Sequence, residues 1–204
     1  KYDFKFDINA ILSDLVYNRV LDPTSKRSAF KMAQDFLEPP AYGLHDVYRA
    51  LSILAKESSL IQADCYKNSS FLYNRDSRIL YYDCSNFYFE IEQEDGKKKY
   101  GKSKEHRPNP IVQMGLFMDR DGIPLAFSVF PGNENEQPSL KPLETKVIQQ
   151  MGCDKFIYCS DAGLASQANR KFNHTADRSF IVTQSIRKLR SEYKEAAIKK
   201  IGFK

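Results

Sequence analysis

The sequence predicts a mixed α/β protein in which a five-stranded sheet flanked by helices follows a small all-α region. Before about residue 78 apolar residues recur at helical spacing, and after it they lie in short extended runs separated by turn signals. In that second part, three strands joined by hairpins precede alternating helices and strands, the order β-β-β-α-β-α-β-α. We therefore expect a helical N-terminal region over 1–77 and an α/β core over 78–204.

Helical periodicity organises the first region. Apolar residues between 8 and 16 recur at i, i+3, i+4 and i+7 behind Asp7, a residue type that caps helix N-termini, and Pro23 follows the expected end. A second helix is expected over 25–37, a third after a Pro-Pro break, and a short fourth over 58–67.

The second region combines hairpins with strand–helix–strand units. A strand–helix–strand unit implies a right-handed crossover between parallel strands, so the first and fourth strands should be parallel neighbours. The expected elements are strands over 79–82 and 86–91, 111–118 and 125–130, a helix over 140–151, a strand over 155–160, a helix over 163–172, a strand over 179–183 and a basic helix over 186–201.

Positive charge is clustered in two segments of a chain whose net charge is only +5. Segment 97–107 carries six Lys and Arg against one Glu, and segment 187–204 carries seven against two. Such clusters suit a polyanion such as nucleic acid, and the alternative is a solvated lysine-rich surface. No run of 18 apolar residues and no CxxC pair occurs, so we expect a cytoplasmic protein with no membrane span.

Two aspartates follow expected strands of the sheet. Asp83 directly follows the run 79–82, and Asp161 directly follows the run 155–160. If the first and fourth strands are parallel neighbours, the two carboxylates converge, and close carboxylates repel unless a proton or a cation intervenes. Hard oxygen ligands favour Mg²⁺ or Mn²⁺, and such a site suits two-metal phosphoryl transfer. The alternative is that Asp83 caps a turn and Asp161 caps the next helix.

Four short motifs occur in order along the chain: YDCSNFYFE at 82–90, GKSKEHRP at 101–108 with DGIP at 121–124, PGN at 131–133 with Glu136, and SDAGLAS at 160–166 with Asn169. In this order they resemble the DDE transposases of bacterial insertion sequences. The resemblance covers about residues 44–195. It implies a ribonuclease-H-like fold and cut-and-paste transposition by DNA strand cleavage and strand transfer.

The same resemblance implies a metal site and partners. Asp83 and Asp161 would be the first two ligands of a site that holds two Mg²⁺ or Mn²⁺ ions when complete. The partners would be double-stranded DNA, as element ends and target, and a second copy of the chain on the paired ends, near the nucleoid. In this family a third acid, a Glu, follows the fifth strand. We expect it to lie beyond Lys204 and the fragment alone to be inactive; Glu195, and less so Glu192, are the rivals within the chain.

The basic segments supply candidate DNA contacts, because phosphate contacts position a duplex without reading its sequence. Two alternatives remain: a stand-alone metal-dependent nuclease of the same fold that uses Glu195, and a DNA-binding remnant that does not cut. The candidate DNA-binding residues are Lys97, Lys98, Lys99, Lys102, Lys104, His106 and Arg107 in the loop between the first two strands, with Lys188 and Arg190 further on.

Overall fold

The computed structural model describes residues 2–199, which form two compact units, Lys1–Ile61 and Gln62–Lys204. The division falls earlier than the boundary at residue 77 expected from the change in sequence texture. The reason is that most of the fourth helix packs with the sheet: Gln62 Oε1 accepts the backbone N–H of Phe127 at 2.7 Å, and Tyr66 packs against the sheet's core.

The first unit is a small helical bundle. The Asp7 carboxylate accepts the backbone N–H groups of Asn9 and Ala10, which confirms Asp7 as the first N-cap. The core of this unit contains Ile11, Val47 and Ala50. Its helices are α1 (Ile8–Leu21), α2 (Lys26–Ala33), α3 (Leu44–Lys56) and the start of α4 (Ser58–Leu72).

Two expectations for this bundle are wrong. The helix expected over 25–37 ends at Ala33, and Leu37 is fully exposed in the Pro-rich turn that follows. Leu12 and Val16, which the helical spacing placed inward, are exposed on α1. Because α1 is apolar on more than one side, the spacing did not single out the face that packs.

The second unit contains a five-stranded sheet in the order β3-β2-β1-β4-β5. β1 pairs antiparallel with β2, as does β2 with β3, whereas β4 lies parallel to both β1 and β5. This arrangement confirms the prediction of a mixed five-stranded sheet flanked by helices. The strands are β1 (Ile79–Tyr88), β2 (Ile111–Met118), β3 (Pro124–Pro131), β4 (Phe156–Ser160) and β5 (Arg178–Val182).

Three helices follow the hairpin strands, and the sequence located them unequally well. α5 (Leu140–Met151) has the expected bounds, but α6 (Gln167–Phe172) starts later than expected, behind its N-cap Ser166. Where a basic helix was expected over 186–201, the structure has a short 3₁₀ turn followed by α7 (Ser191–Ile198), and residues 200–201 lie outside the described part of the chain. Likewise, the run 79–82 and the first part of the run 86–91 form one continuous strand, β1, which passes through Asp83 and ends at Tyr88.

The core of the second unit lies on one face of the sheet. Tyr82 of β1 packs against Phe117 of β2 with tilted rings whose centroids are 4.7 Å apart, and its hydroxyl forms a 2.5 Å hydrogen bond with Ser139. Gly115 makes this packing possible, because any side chain there would collide with the Tyr82 ring and hydroxyl. Within residues 2–199, no helix has both the length and the apolar character needed to cross a membrane.

Candidate active site

The pairing of β1 with β4 brings Asp83 and Asp161 to the same level of the sheet. Tyr81 and Cys159 are the last paired residues of these parallel strands. Two further residues along each chain lead to Asp83 and Asp161, so the register aligns the two aspartates. Because side chains alternate between faces, both aspartates share the face of Tyr81 and Cys159.

Both carboxylates line one open groove of about 540 Å³. The two aspartates are exposed, whereas Leu80 and Cys84, which alternate with them along β1, are fully buried in the core. The sequence thus predicted the convergence of two residues that lie 78 positions apart. The remaining lining residues are Ile79, Tyr81, Tyr82, Cys159, Ser160, Ile181, Val182 and Thr183.

Neither aspartate has the capping role proposed as the alternative. β1 continues through Asp83 without a turn, and the Asp83 carboxylate accepts only the adjacent backbone N–H of Cys84, at 2.8 Å, among the bonds resolved in the described chain. The N-cap of α6 is Ser166, not Asp161. Asp161 Oδ1 instead accepts the backbone N–H of Leu164 at 3.1 Å, which leaves its other oxygen available to a ligand.

The donor set fits Mg²⁺ or Mn²⁺. Mg²⁺ in proteins is commonly bound through one or two carboxylates, water and substrate phosphates, and two exposed carboxylates on one face provide that. Within residues 2–199, no three or more His, Cys, Asp or Glu side chains are grouped to hold an ion. Glu192 and Glu195 therefore do not join the aspartate pair in this structure; both lie on exposed α7.

Cys84 and Tyr82 are the nucleophilic side chains nearest Asp83 in the sequence, and burial disfavours the deprotonated, nucleophilic form of both. Burial raises the pKa of the Cys84 thiol, and it raises the pKa of the Tyr82 hydroxyl well above its ordinary value of 10.0. Both groups are therefore protonated at neutral pH.

The first half of the basic loop is engaged with nearby acids and backbone. Lys98 forms a 2.7 Å ion pair with Asp95, and Lys99 forms one of 3.1 Å with Glu94. Lys97 donates from Nζ to the Val129 carbonyl at 2.5 Å. These contacts hold the tip of the loop against the hairpin strands, away from the aspartates.

The second half of the loop runs along β1 beyond the end of β4. Asn86 donates to the Lys102 carbonyl at 3.4 Å and accepts the backbone N–H of Lys104 at 3.2 Å. The Lys104 ammonium donates to the carbonyl of Cys84, the residue after Asp83. The loop therefore occupies the edge of β1 that β4 leaves unpaired.

Here the loop forms one wall of a cleft of about 720 Å³. Lys102, Lys104 and His106 line the cleft from this loop, and Glu136 and Gly163 also line it. Gly163 belongs to the loop between β4 and α6, residues 161–166, which we call the Asp161 loop. Asp161 lines the carboxylate groove and Gly163 lines the cleft, so the two concavities meet at this loop.

The remaining basic candidates lie outside both concavities. Arg107 stacks over the Tyr88 ring at 5.0 Å and lies 4.0 Å from Glu105. Arg190 is exposed at the start of α7. The Lys188 side chain falls outside the part of the chain that the structure describes.

Sequence reasoning missed the residues that support the Asp161 loop. Gln137 Nε2 donates to the Gly163 carbonyl at 2.8 Å, Asn169 Nδ2 donates to the Leu164 carbonyl at 2.9 Å, and Arg170 Nε donates to the Ala165 carbonyl at 2.9 Å. In the sequence, Asn169 stands out only through its place beside the SDAGLAS motif at 160–166. Polar residues give no sequence signal that separates a buried support from a solvated surface.

Comparison with known proteins gives matches only among solved structures; no model of a protein family and no curated protein matches the chain. The chain is similar to the Mos1 transposase paired-end complex with left transposon end, at 14% identity and a TM-score of 0.35, over 89% of this chain and 59% of that one. It is also similar to the piggyBac transposase synaptic complex with hairpin DNA, at 9% identity and a TM-score of 0.47, over 100% of this chain and 46% of that one. The chain thus spans less than two thirds of both proteins, and our account of the fold rests on the sheet topology.

Proposed function

We propose that the second unit is the catalytic core of a DDE-type DNA transposase, with Asp83 and Asp161 as its first two metal ligands. One observation carries the proposal: parallel β1 and β4 bring the two carboxylates to one exposed groove. The motif order and the strand order support it. The third acid belongs, on this proposal, to a part of the protein outside residues 2–199.

Each part of the groove then has a task. Asp83 and Asp161 would hold Mg²⁺ or Mn²⁺, and the ion would supply activation of an attacking water or 3′-hydroxyl and stabilisation of the leaving oxygen. The exposure of both carboxylates lets a phosphodiester approach them directly. The Leu164 N–H fixes one oxygen of Asp161, so the carboxylate keeps one orientation as the DNA strand arrives.

The cleft beside the groove is the proposed path of the DNA strand. Lys102 and Lys104 would neutralise phosphates on the side where the cleft meets the Asp161 loop. Lys98 and Lys99 would contribute less, because the Asp95 and Glu94 carboxylates already neutralise their ammonium groups, and Lys97 is not among the residues that line the cleft. The proposed substrates are double-stranded element ends and target DNA, bound by a homodimer in the cytoplasm of a bacterium.

The first test is a Mn²⁺ titration of the chain, followed by calorimetry and by paramagnetic broadening of NMR signals. We expect saturable binding by the wild type and its loss in Asp83→Ala/Asp161→Ala. A matched control is Asp121→Ala/Asp154→Ala, which removes two exposed carboxylates from turns elsewhere in the unit. Equal binding by wild type and both variants would refute the assignment of the aspartates.

The same titration separates the alternatives. A stand-alone nuclease that uses Glu195 requires Glu195→Gln to weaken Mn²⁺ binding, whereas we expect no change. A remnant that only binds DNA requires binding to DNA without any saturable Mn²⁺ site. Strand cleavage and transfer on labelled DNA, measured with the whole protein, then tests the activity itself.

A second test compares the two halves of the basic loop. Lys102→Ala/Lys104→Ala should weaken binding to a DNA duplex more than Lys97→Ala/Lys98→Ala, although each double variant removes two positive charges. Each lost phosphate contact should reduce the slope of log affinity against log salt by about 1. Fluorescence anisotropy over a salt series measures both. The reverse ranking would move the DNA path to the tip of the loop.

A further inference from the structure

The buried side of α6 is polar. Asn169 is 2% exposed and Asn173 is 0% exposed, and the two residues lie one helical turn apart. Burying a side-chain amide costs free energy unless its hydrogen bonds are made. Two buried asparagines therefore stabilise a short helix no more than two buried apolar residues would. Their contacts therefore indicate what each one holds.

Asn169 links the Asp161 loop to the segment before α5. Its Nδ2 donates to the Leu164 carbonyl at 2.9 Å and to the Gln137 carbonyl at 3.1 Å. Leu164 in turn donates its backbone N–H to Asp161 Oδ1 at 3.1 Å. One residue, Leu164, thus separates the Asn169 amide from the Asp161 carboxylate.

Gln137 completes this arrangement from the other side. Its own Nε2 donates to the carbonyl of Gly163 at 2.8 Å, while its backbone carbonyl receives Asn169. Gln137 therefore holds the peptide group before Leu164 at the Gly163 carbonyl, and Asn169 holds the peptide group after it at the Leu164 carbonyl. A loop fixed at both peptides presents the Leu164 N–H to Asp161 in one direction.

We propose that Asn169 is a positioning residue that holds the Asp161 carboxylate in its ligand orientation through Leu164. This inference rests on the proposed function, since it concerns how Asp161 meets the metal. Residues that orient metal ligands typically change metal affinity by about 10–100-fold when they are removed. Asn169 therefore has a role that its burial alone does not reveal.

Asn173 provides a matched control on the same helix face. It is equally buried, but its Nδ2 donates to Glu144 Oε2 on α5 at 2.8 Å and to the Asn169 carbonyl at 3.4 Å, and within residues 2–199 it forms no hydrogen bond with the loop around Asp161. Replacing either asparagine by Ala leaves carbonyl or carboxylate groups unpaired and destabilises the unit. Only the replacement of Asn169 should release the loop.

The experiment measures amide hydrogen exchange at Leu164 and Mn²⁺ affinity in Asn169→Ala, Asn173→Ala and Gln137→Ala. In Asn169→Ala, we expect the Leu164 amide to exchange at least about tenfold faster than the variant's loss of global stability explains. We also expect this variant to bind Mn²⁺ about 10–100-fold more weakly than the wild type. In Asn173→Ala, Leu164 exchange should follow global stability only and Mn²⁺ affinity should not change. Gln137→Ala should shift both readouts in the same direction as Asn169→Ala, by less.

Equal Leu164 exchange, corrected for stability, in Asn169→Ala and Asn173→Ala would overturn the inference. If Asn169→Ala does not fold, Gln137→Ala decides, because Gln137 is only half-buried and its replacement leaves the core intact. If the wild type binds no Mn²⁺, the proposed function fails, and Leu164 exchange without metal still decides whether Asn169 orders the loop.

Discussion

The two faces of the sheet are built by the same strands but differ in what covers them. On one face Leu80 is 0% exposed and packs with Tyr82 and α5 residues in a single core cluster. On the other, Ile181 is 61% exposed beside Asp83 and Asp161. The comparison teaches that the unit derives its stability from one face and leaves the other accessible for chemistry.

The largest expected difference is in the cost of truncating an aliphatic side chain on each face. Leu80→Ala should lower the free energy of unfolding by about 2–5 kcal/mol, because it removes buried methyl groups and leaves a cavity. Ile181→Ala should change it by less than about 0.5 kcal/mol, because the side chain is already exposed. Urea denaturation of both variants measures the difference. Similar losses would mean that the carboxylate face is also packed.

The covered face also contains a buried acid whose titration should set the pH dependence of stability. Glu144 of α5 is 0% exposed; burial raises its pKa from 4.5 to about 7, although Asn173 and Arg178 favour its charged form. Because the pKa of Glu144 is higher in the folded than in the unfolded protein, its carboxyl group stabilises the fold below about pH 4.5. This stabilisation is lost as the pH rises through 7. The loss amounts to about 3 kcal/mol at most.

The measurement is the free energy of unfolding between pH 4.5 and 8 for wild type and Glu144→Gln. We expect the wild type to lose stability across this range and the variant, which is neutral throughout, to follow a flatter profile. Identical slopes would show that Glu144 is charged in the folded protein at all these pH values. The carboxylate face offers no such buried acid, since Asp83 and Asp161 are both exposed.

The sequence predicts the carboxylate pair better than its surroundings. The strand order follows from the hairpins and crossovers, and the alternation of side chains then assigns each strand residue to one face of the sheet. These two rules place Asp83 and Asp161 together from the sequence alone. α5 was located to the residue because its apolar positions recur regularly between a Pro-rich start and Gly152, whose left-handed backbone ends the helix.

Contacts between polar side chains distant in sequence were beyond that reasoning. Arg75 Nε forms a buried 2.5 Å ion pair with Asp119 in the β2–β3 turn, yet both residues look like ordinary surface charges in the sequence. Gln137 and Asn169 around the Asp161 loop were missed for the same reason. Their burial depends on how the elements pack, which composition and periodicity do not report.

The smallest expected effect lies at the border of the carboxylate face, where His106 lines the cleft with a left-handed backbone, φ 56°. A residue with a Cβ pays about 1–2 kcal/mol in that conformation, whereas glycine adds about 0.5–1 kcal/mol of chain entropy to the unfolded state. His106→Gly should therefore raise the free energy of unfolding by about 0.5 kcal/mol. Glu105→Gly, at a neighbouring exposed position without a positive φ, should lower it.

If His106 contacts a DNA phosphate in the cleft, the same substitution weakens duplex binding while it stabilises the fold. Denaturation and fluorescence anisotropy on one pair of variants measure the two effects side by side. Opposite signs would show that the strained backbone at His106 serves DNA binding and not folding. A loss of stability in His106→Gly would instead mean that contacts of the imidazole outweigh the strain, since glycine keeps the 3.2 Å bond from the backbone N–H to the Ser103 carbonyl.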